Sequence, residues 1–152
     1  MLLFFAGESY ACKCEIPPPF EEHISSISDD AIIIRGRVVS HAVFNTSMKV
    51  EVLDLLEGRE ERAKVKVVSF LRPNCTMEVD RIQGGSEWIL LLKKDEHSLF
   101  PWSNNYYISI CGNTRLEVID GKVVKGYIRK SNDDDYYDQE EPLDKFLGRF
   151  GK

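Results

Sequence analysis

The stretch DDAIIIRGRVVS, residues 29–40, decides the fold. Its β-branched run suits a pleated strand better than a helix, and Arg35 and Arg37 alternate while Gly36 between them marks a bulge or sharp bend. Outward from this strand the same period-2 pattern recurs. MKVEVLDLLEG (48–58) sets Lys49 and Glu51 against Val50 and Val52, and AKVKVVSFL (63–71) sets Lys64 and Lys66 against Val65 and Val67. SEWILLLKK (86–94) reads as a strand buried on both faces. NNYYISICGN (104–113) places Tyr106, Ile108 and Ile110 on one face, and RLEVIDGKVVKGYI (115–128) reads as a hairpin turned at Asp120-Gly121. Five or six strands with no long helix between them predict an all-β fold, an antiparallel barrel or sandwich.

Two shorter segments flank these strands. FEEHISSIS (20–28) spaces Phe20, Ile24 and Ile27 for a helical turn or two over the core. SNDDDYYDQEE (131–141) reads as an acidic linker, and PLDKFLGRF (142–150) spaces Leu143, Phe146, Leu147 and Phe150 as a short amphipathic helix with Pro142 near its first turn. That helix is expected to dock on its own barrel. The predicted organisation is a segment 1–11, a domain 12–130 and a tail 131–152.

The chain of 152 residues is 43% hydrophobic and 30% charged, as suits one globular domain. Its net charge of -5 is concentrated in the tail, where seven acids face three bases; removing these from 25 acids and 20 bases leaves 18 and 17. So neutral a body offers no cationic field for nucleic acid or an anionic surface, and no nucleic-acid partner is expected. No apolar run approaches the roughly 20 residues of a membrane span. MLLFFAG (1–7) reads either as the tail of a secretory signal, with Ser9 and Ala11 placed for cleavage before Cys12, or as an apolar segment packed on the domain.

SYACKCEIPPP (9–19) holds Cys12 and Cys14 one residue apart, with Pro17, Pro18 and Pro19 following. In extended chain their Cα atoms stand about 6.5 to 7 Å apart, at the edge of disulfide reach, so each should seek another partner. Cys75 and Cys111 are the remaining cysteines, which leaves two connectivities of two long-range bridges. Closing a loop of about 60 residues in this way stabilises by roughly 4 kcal/mol and implies an oxidising, extracytoplasmic compartment. Zinc knuckles and C-x-x-C redox motifs need spacings that these cysteines lack.

His23, His41 and His97 lack metal-ligand spacing and read as ordinary surface or loop histidines. The charged cluster from Glu57 to Arg62 reads as a solvated loop, Gly84-Gly85 as a turn, and Trp102 as core or loop packing. No nucleophile, base and oxyanion site assembles with recognisable spacing, so neither an enzyme nor a cofactor is expected.

In order along the chain, CKC with its prolines, DDAIIIRGRVVS, VEVLDLLEG, Cys75, GSEWILLLKK and YYISICGNTR form a set that resembles the tissue inhibitors of metalloproteinases and the related netrin-like modules, especially short bacterial-type members. The resemblance covers about residues 12–128. It implies a five-stranded Greek-key barrel of the OB type, its N-terminal segment pinned by bridges pairing Cys12 with Cys75 and Cys14 with Cys111. The third bridge of the family inhibitors has no counterpart here.

It also implies a protein partner, a zinc metalloprotease. In the family the first cysteine is the mature N-terminus, and its α-amine and carbonyl oxygen chelate the protease's zinc. Carried over, Cys12 chelates, Lys13 enters the specificity pocket, Cys14, Glu15, Ile16 and Pro17 continue the wedge, and Asn74 flanks it beside Cys75. An α-amine pKa near 8 leaves enough neutral amine for this at neutral pH. With residues 1–11 attached, the nitrogen of Cys12 is an amide and cannot bind the metal. Lys13 stands where the animal inhibitors carry a small hydroxyl residue, so a different target set is expected. The competing expectation is a protein-interaction barrel of the same fold without inhibitory activity.

Overall fold

The computed structural model describes residues 18–69, 79–96, 104–109, 113–131 and 138–151. Among the described residues eight strands lie in one sheet: β1 (Ala31–His41), β2 (Ser47–Glu57), β3 (Lys64–Val68), β4 (Glu87–Lys94), β5 (Tyr106–Tyr107), β6 (Arg115–Ile119), β7 (Val123–Gly126) and β8 (Gln139–Pro142). The helices are short: α1 (Phe20–Ile24), α2 (Leu143–Leu147), and single 3-10 turns at Val43–Asn45, Val79–Arg81 and Gly148–Phe150.

The strand order β1-β2-β3-β5-β4 closes because β1 also pairs with β4, from Ala31 opposite Lys93 to Arg37 opposite Glu87. β3 and β5 run parallel, and the other pairings are antiparallel. The result is a closed five-stranded barrel of the OB type, the all-β fold expected from the sequence. Beyond β4 the sheet continues outward through β6, β7 and β8.

That continuation explains why β1 and β4 carry apolar residues on both sides. Inside the barrel Ile32, Ile34, Leu90 and Leu92 pack with Val50, Val65, Val67, Tyr106 and Ile108, and Val79 and Ile82 join the same core. On the other face Ala31, Ile33, Ile89 and Leu91 build a second core with Phe20, Leu116, Val124, Leu143 and Phe146. A strand that serves two cores cannot show clean alternation, which is the uninterrupted pattern read in SEWILLLKK.

Gly36 sits where the β1–β2 register shifts, as expected of a bulge. A methyl group there would meet Val50 Cγ1 at 2.5 Å and the carbonyl of Glu51 at 3.1 Å, so the inner wall closes on a bare backbone. The β6–β7 hairpin turns at Asp120 (φ 52°) and Gly121 (φ 64°), the paired left-handed geometry that Asp-Gly favours.

The C-terminal tail differs from the sequence expectation. Gln139–Pro142 is not linker but the strand β8, paired with β7 from Val123 opposite Pro142 to Gly126 opposite Gln139. α2 then docks as expected: Leu143 and Phe146 are buried, Leu147 and Phe150 pack against the second core, and the Phe146 ring lies 6.0 Å from that of Phe20. Glu141, just before the helix, is 2% exposed and receives Arg149 in a two-pronged contact at 2.8 and 3.1 Å, with Lys145 at 3.4 Å and Arg129 at 3.7 Å. A carboxylate this buried is tolerated because three cations surround it.

Candidate functional site

Cys12, Lys13, Cys14, Glu15, Ile16, Pro17, Asn74, Cys75 and Cys111, the residues that the resemblance picks out, lie outside the described residues, as do His97 and Trp102. What the structure does give is the frame on which the N-terminal segment enters. The carbonyl of Pro18 accepts a 3.0 Å hydrogen bond from Asn113 Nδ2. Pro18 follows Cys14 by four positions and Asn113 follows Cys111 by two. Immediately downstream, the amides of Phe20 and Glu21 donate to the carbonyls of Tyr127 and Ile128, each at 3.0 Å, and the Phe20 ring is fully buried. The chain leaving the C-x-C motif is therefore fastened beside the barrel, to the segments flanking β6 and β7, by hydrogen bonds and one aromatic anchor in the second core.

The β1–β2 hairpin carries a second feature. Its tip, Val43–Asn45, exposes Val43 (77%) and Phe44 (93%), and Phe44 holds φ 62° and ψ 19°. A bulky side chain in the left-handed region is strained, and full exposure returns nothing in burial. Neither Val43 nor Phe44 belongs to the barrel core. In the sequence, two large apolar residues before Asn45, between two alternating strands, depart from polar turn chemistry and are the signal of this tip.

The loop from Glu57 to Arg62 is not wholly solvated, as the sequence suggested. Glu60 folds back so that its side chain is only 6% exposed, taking Arg62 Nε at 2.8 Å, Arg62 Nη2 at 2.7 Å and the Tyr106 hydroxyl at 2.7 Å. The Arg62 hydrogen bonds lead in holding the Glu60 carboxyl down to about 2, and burial leads in pushing the Tyr106 hydroxyl up to about 12. Both groups are thus locked in one protonation state across the physiological range, which makes this cluster a structural clasp and a poor proton relay.

His41 contacts the carbonyl of Val79 through Nε2 at 3.2 Å. Arg115 lies over the Trp88 ring at 5.7 Å, and burial, followed by the charge of Arg81, lowers its pKa. Among the described residues no group of three or more His, Cys, Asp or Glu side chains is placed to hold a metal, and no helix is long and apolar enough to cross a membrane.

The frame and the hairpin are what the chain offers to known proteins. Comparison with protein-family models, curated proteins and solved structures returned no match.

Proposed function

We propose that the chain is an extracytoplasmic, non-enzymatic protein-binding module resembling the metalloproteinase inhibitors, which blocks a zinc protease through the segment beginning at Cys12. The observation that carries this reading is the closed β1-β2-β3-β5-β4 barrel, the architecture that the resemblance implied, with the chain fastened beside it at Pro18 and Phe20. The Pro18–Asn113 bond supports the pairing of Cys14 with Cys111, since it joins the strands of chain that leave those two cysteines.

In this reading Cys12 is the mature N-terminus. Its neutral α-amine and its carbonyl oxygen take two positions on the protease's zinc and displace the water that would attack a peptide bond. Lys13 fills the pocket beside the metal, and Glu15, Ile16 and Pro17 lie along the cleft. Pre-organisation by the barrel and the bridges limits the entropy lost on binding, the main cost of holding an extended peptide in a cleft. The test compares inhibition of a panel of zinc proteases by the chain beginning at Cys12 with the same chain acetylated there.

A second reading, a protein-interaction barrel without inhibitory activity, draws support from Phe44, whose strained exposure fits a side chain kept for a partner. Inhibition insensitive to the N-terminal amine, or binding to a partner that needs Phe44 alone, favours it.

A further inference from the structure

After α1 the chain turns through Ser25–Ser28 to reach β1, and this turn stands off β4 enough to leave a cavity of about 190 Å³. Two cationic or proton-bearing groups face it, His23 and Lys93, and its apolar wall is formed by Ile27, Ala31 and Leu91. The hydroxyl of Thr114, also at the wall, is already committed to the carbonyl of Ser109 at 3.1 Å.

His23 Nε2 is buried and has no hydrogen-bond partner among the described residues. A buried nitrogen without a partner loses its hydration with nothing in return, so its presence asks for an explanation. Lys93 forms no ion pair with a described residue. Burial lowers the His23 pKa first, Lys93 lowers it further, and Glu22 opposes them less strongly, so the imidazole that faces the cavity beside Lys93 is neutral at neutral pH.

We propose that this cavity binds a short-chain aliphatic carboxylate, its head held by the Lys93 ammonium and the His23 Nε2–H and its chain laid on Ile27, Ala31 and Leu91. The volume sets the size: it falls below the roughly 300 Å³ at which pockets for drug-sized ligands begin, so a molecule of a few heavy atoms fits. The chemistry sets the class. A carboxylate supplies the acceptor that His23 lacks and the charge that Lys93 lacks, whereas a bare oxyanion such as phosphate leaves the apolar wall against water. The proposal uses no residue of the Cys12 segment, and its failure would leave the inhibitory reading untouched.

The test follows the His23 ring resonances of the full chain by NMR during titration with butyrate, butyramide and inorganic phosphate at neutral pH. Butyrate should give a saturable shift of the His23 ring, with butyramide and phosphate binding at least about tenfold more weakly. Lys93→Ala should weaken butyrate about tenfold while the amide spectrum stays that of the folded barrel, and Ile27→Ser should weaken butyrate more than acetate. No saturable shift up to about 50 mM butyrate, binding unchanged in Lys93→Ala, or phosphate binding as well as butyrate would each overturn the proposal.

Discussion

The Tyr106 hydroxyl donates a 2.7 Å hydrogen bond to Glu60 across 46 positions of sequence, tying the β2–β3 loop to β5. β5 is two residues long, so its place in the barrel depends on contacts of this kind as well as on strand pairing.

Glu60→Gln should destabilise the fold by about 1 kcal/mol at neutral pH, a value reduced by the 40% exposure of Arg62, which lets solvent screen the pair. The pH dependence has a fixed sign. The folded carboxyl at about 2 lies below the unfolded value near 4.5, so its contribution is present above about pH 4.5 and is lost as pH falls towards 2. Urea titrations at pH 7 and pH 3 should show the gap between wild type and variant narrowing at the lower pH. On the alkaline side Tyr106 is raised from 10.0 to about 12, so its contribution is lost as pH rises through that interval, and Tyr106→Phe should abolish that part of the decline.

Gly36→Ala tests the closure of the barrel. The added carbon lies 2.5 Å from Val50 Cγ1 and 3.1 Å from a backbone oxygen, so wall and core must both shift, at a cost of about 1–3 kcal/mol. A thermal melt that drops by less than a degree would mean that the β1–β2 bulge is looser than its register implies.

Phe146→Ala should cost about 3–5 kcal/mol, because the ring is fully buried between Phe20 and Phe150. The same variant should speed amide exchange in β7 and β8, the strands that the docked helix covers. Loss of stability without faster exchange there would separate the helix from the sheet it appends to.

Phe44→Gly should do the reverse and stabilise by about 1 kcal/mol, since glycine adopts φ 62° without strain and no packing is lost at 93% exposure. A denaturation midpoint lower than wild type would show that Phe44 is held by contacts that its exposure hides.

The barrel was legible because its strands follow simple rules: Lys and Val alternate in β3, Asp-Gly turns β6 into β7, and the middle of β4 is an unbroken apolar run because Leu90 and Leu92 face one core and Ile89 and Leu91 the other. β8 was not legible, since Gln139–Pro142 carries no apolar alternation and owes its place to pairing with β7 and to the buried Glu141, whose partner Arg149 arrives only after α2. The burial of Glu60 is hidden in the sequence for the same reason. A carboxylate among Glu57–Arg62 reads as solvated until Tyr106 is brought to it, and local sequence contains nothing of that contact. His23 reads as a surface or loop histidine because the β4 residues that share its cavity, Leu91 and Lys93, lie more than 60 positions on.

The Cys12 segment carries the central claim, and the most direct measurement is the inhibition constant against zinc proteases for the chain beginning at Cys12, set beside the chain beginning at Met1. The account predicts micromolar or tighter inhibition by the first and a loss of about 100-fold or more in the second, where the nitrogen of Cys12 is an amide. Equal inhibition by the two chains, or none by either, would contradict it.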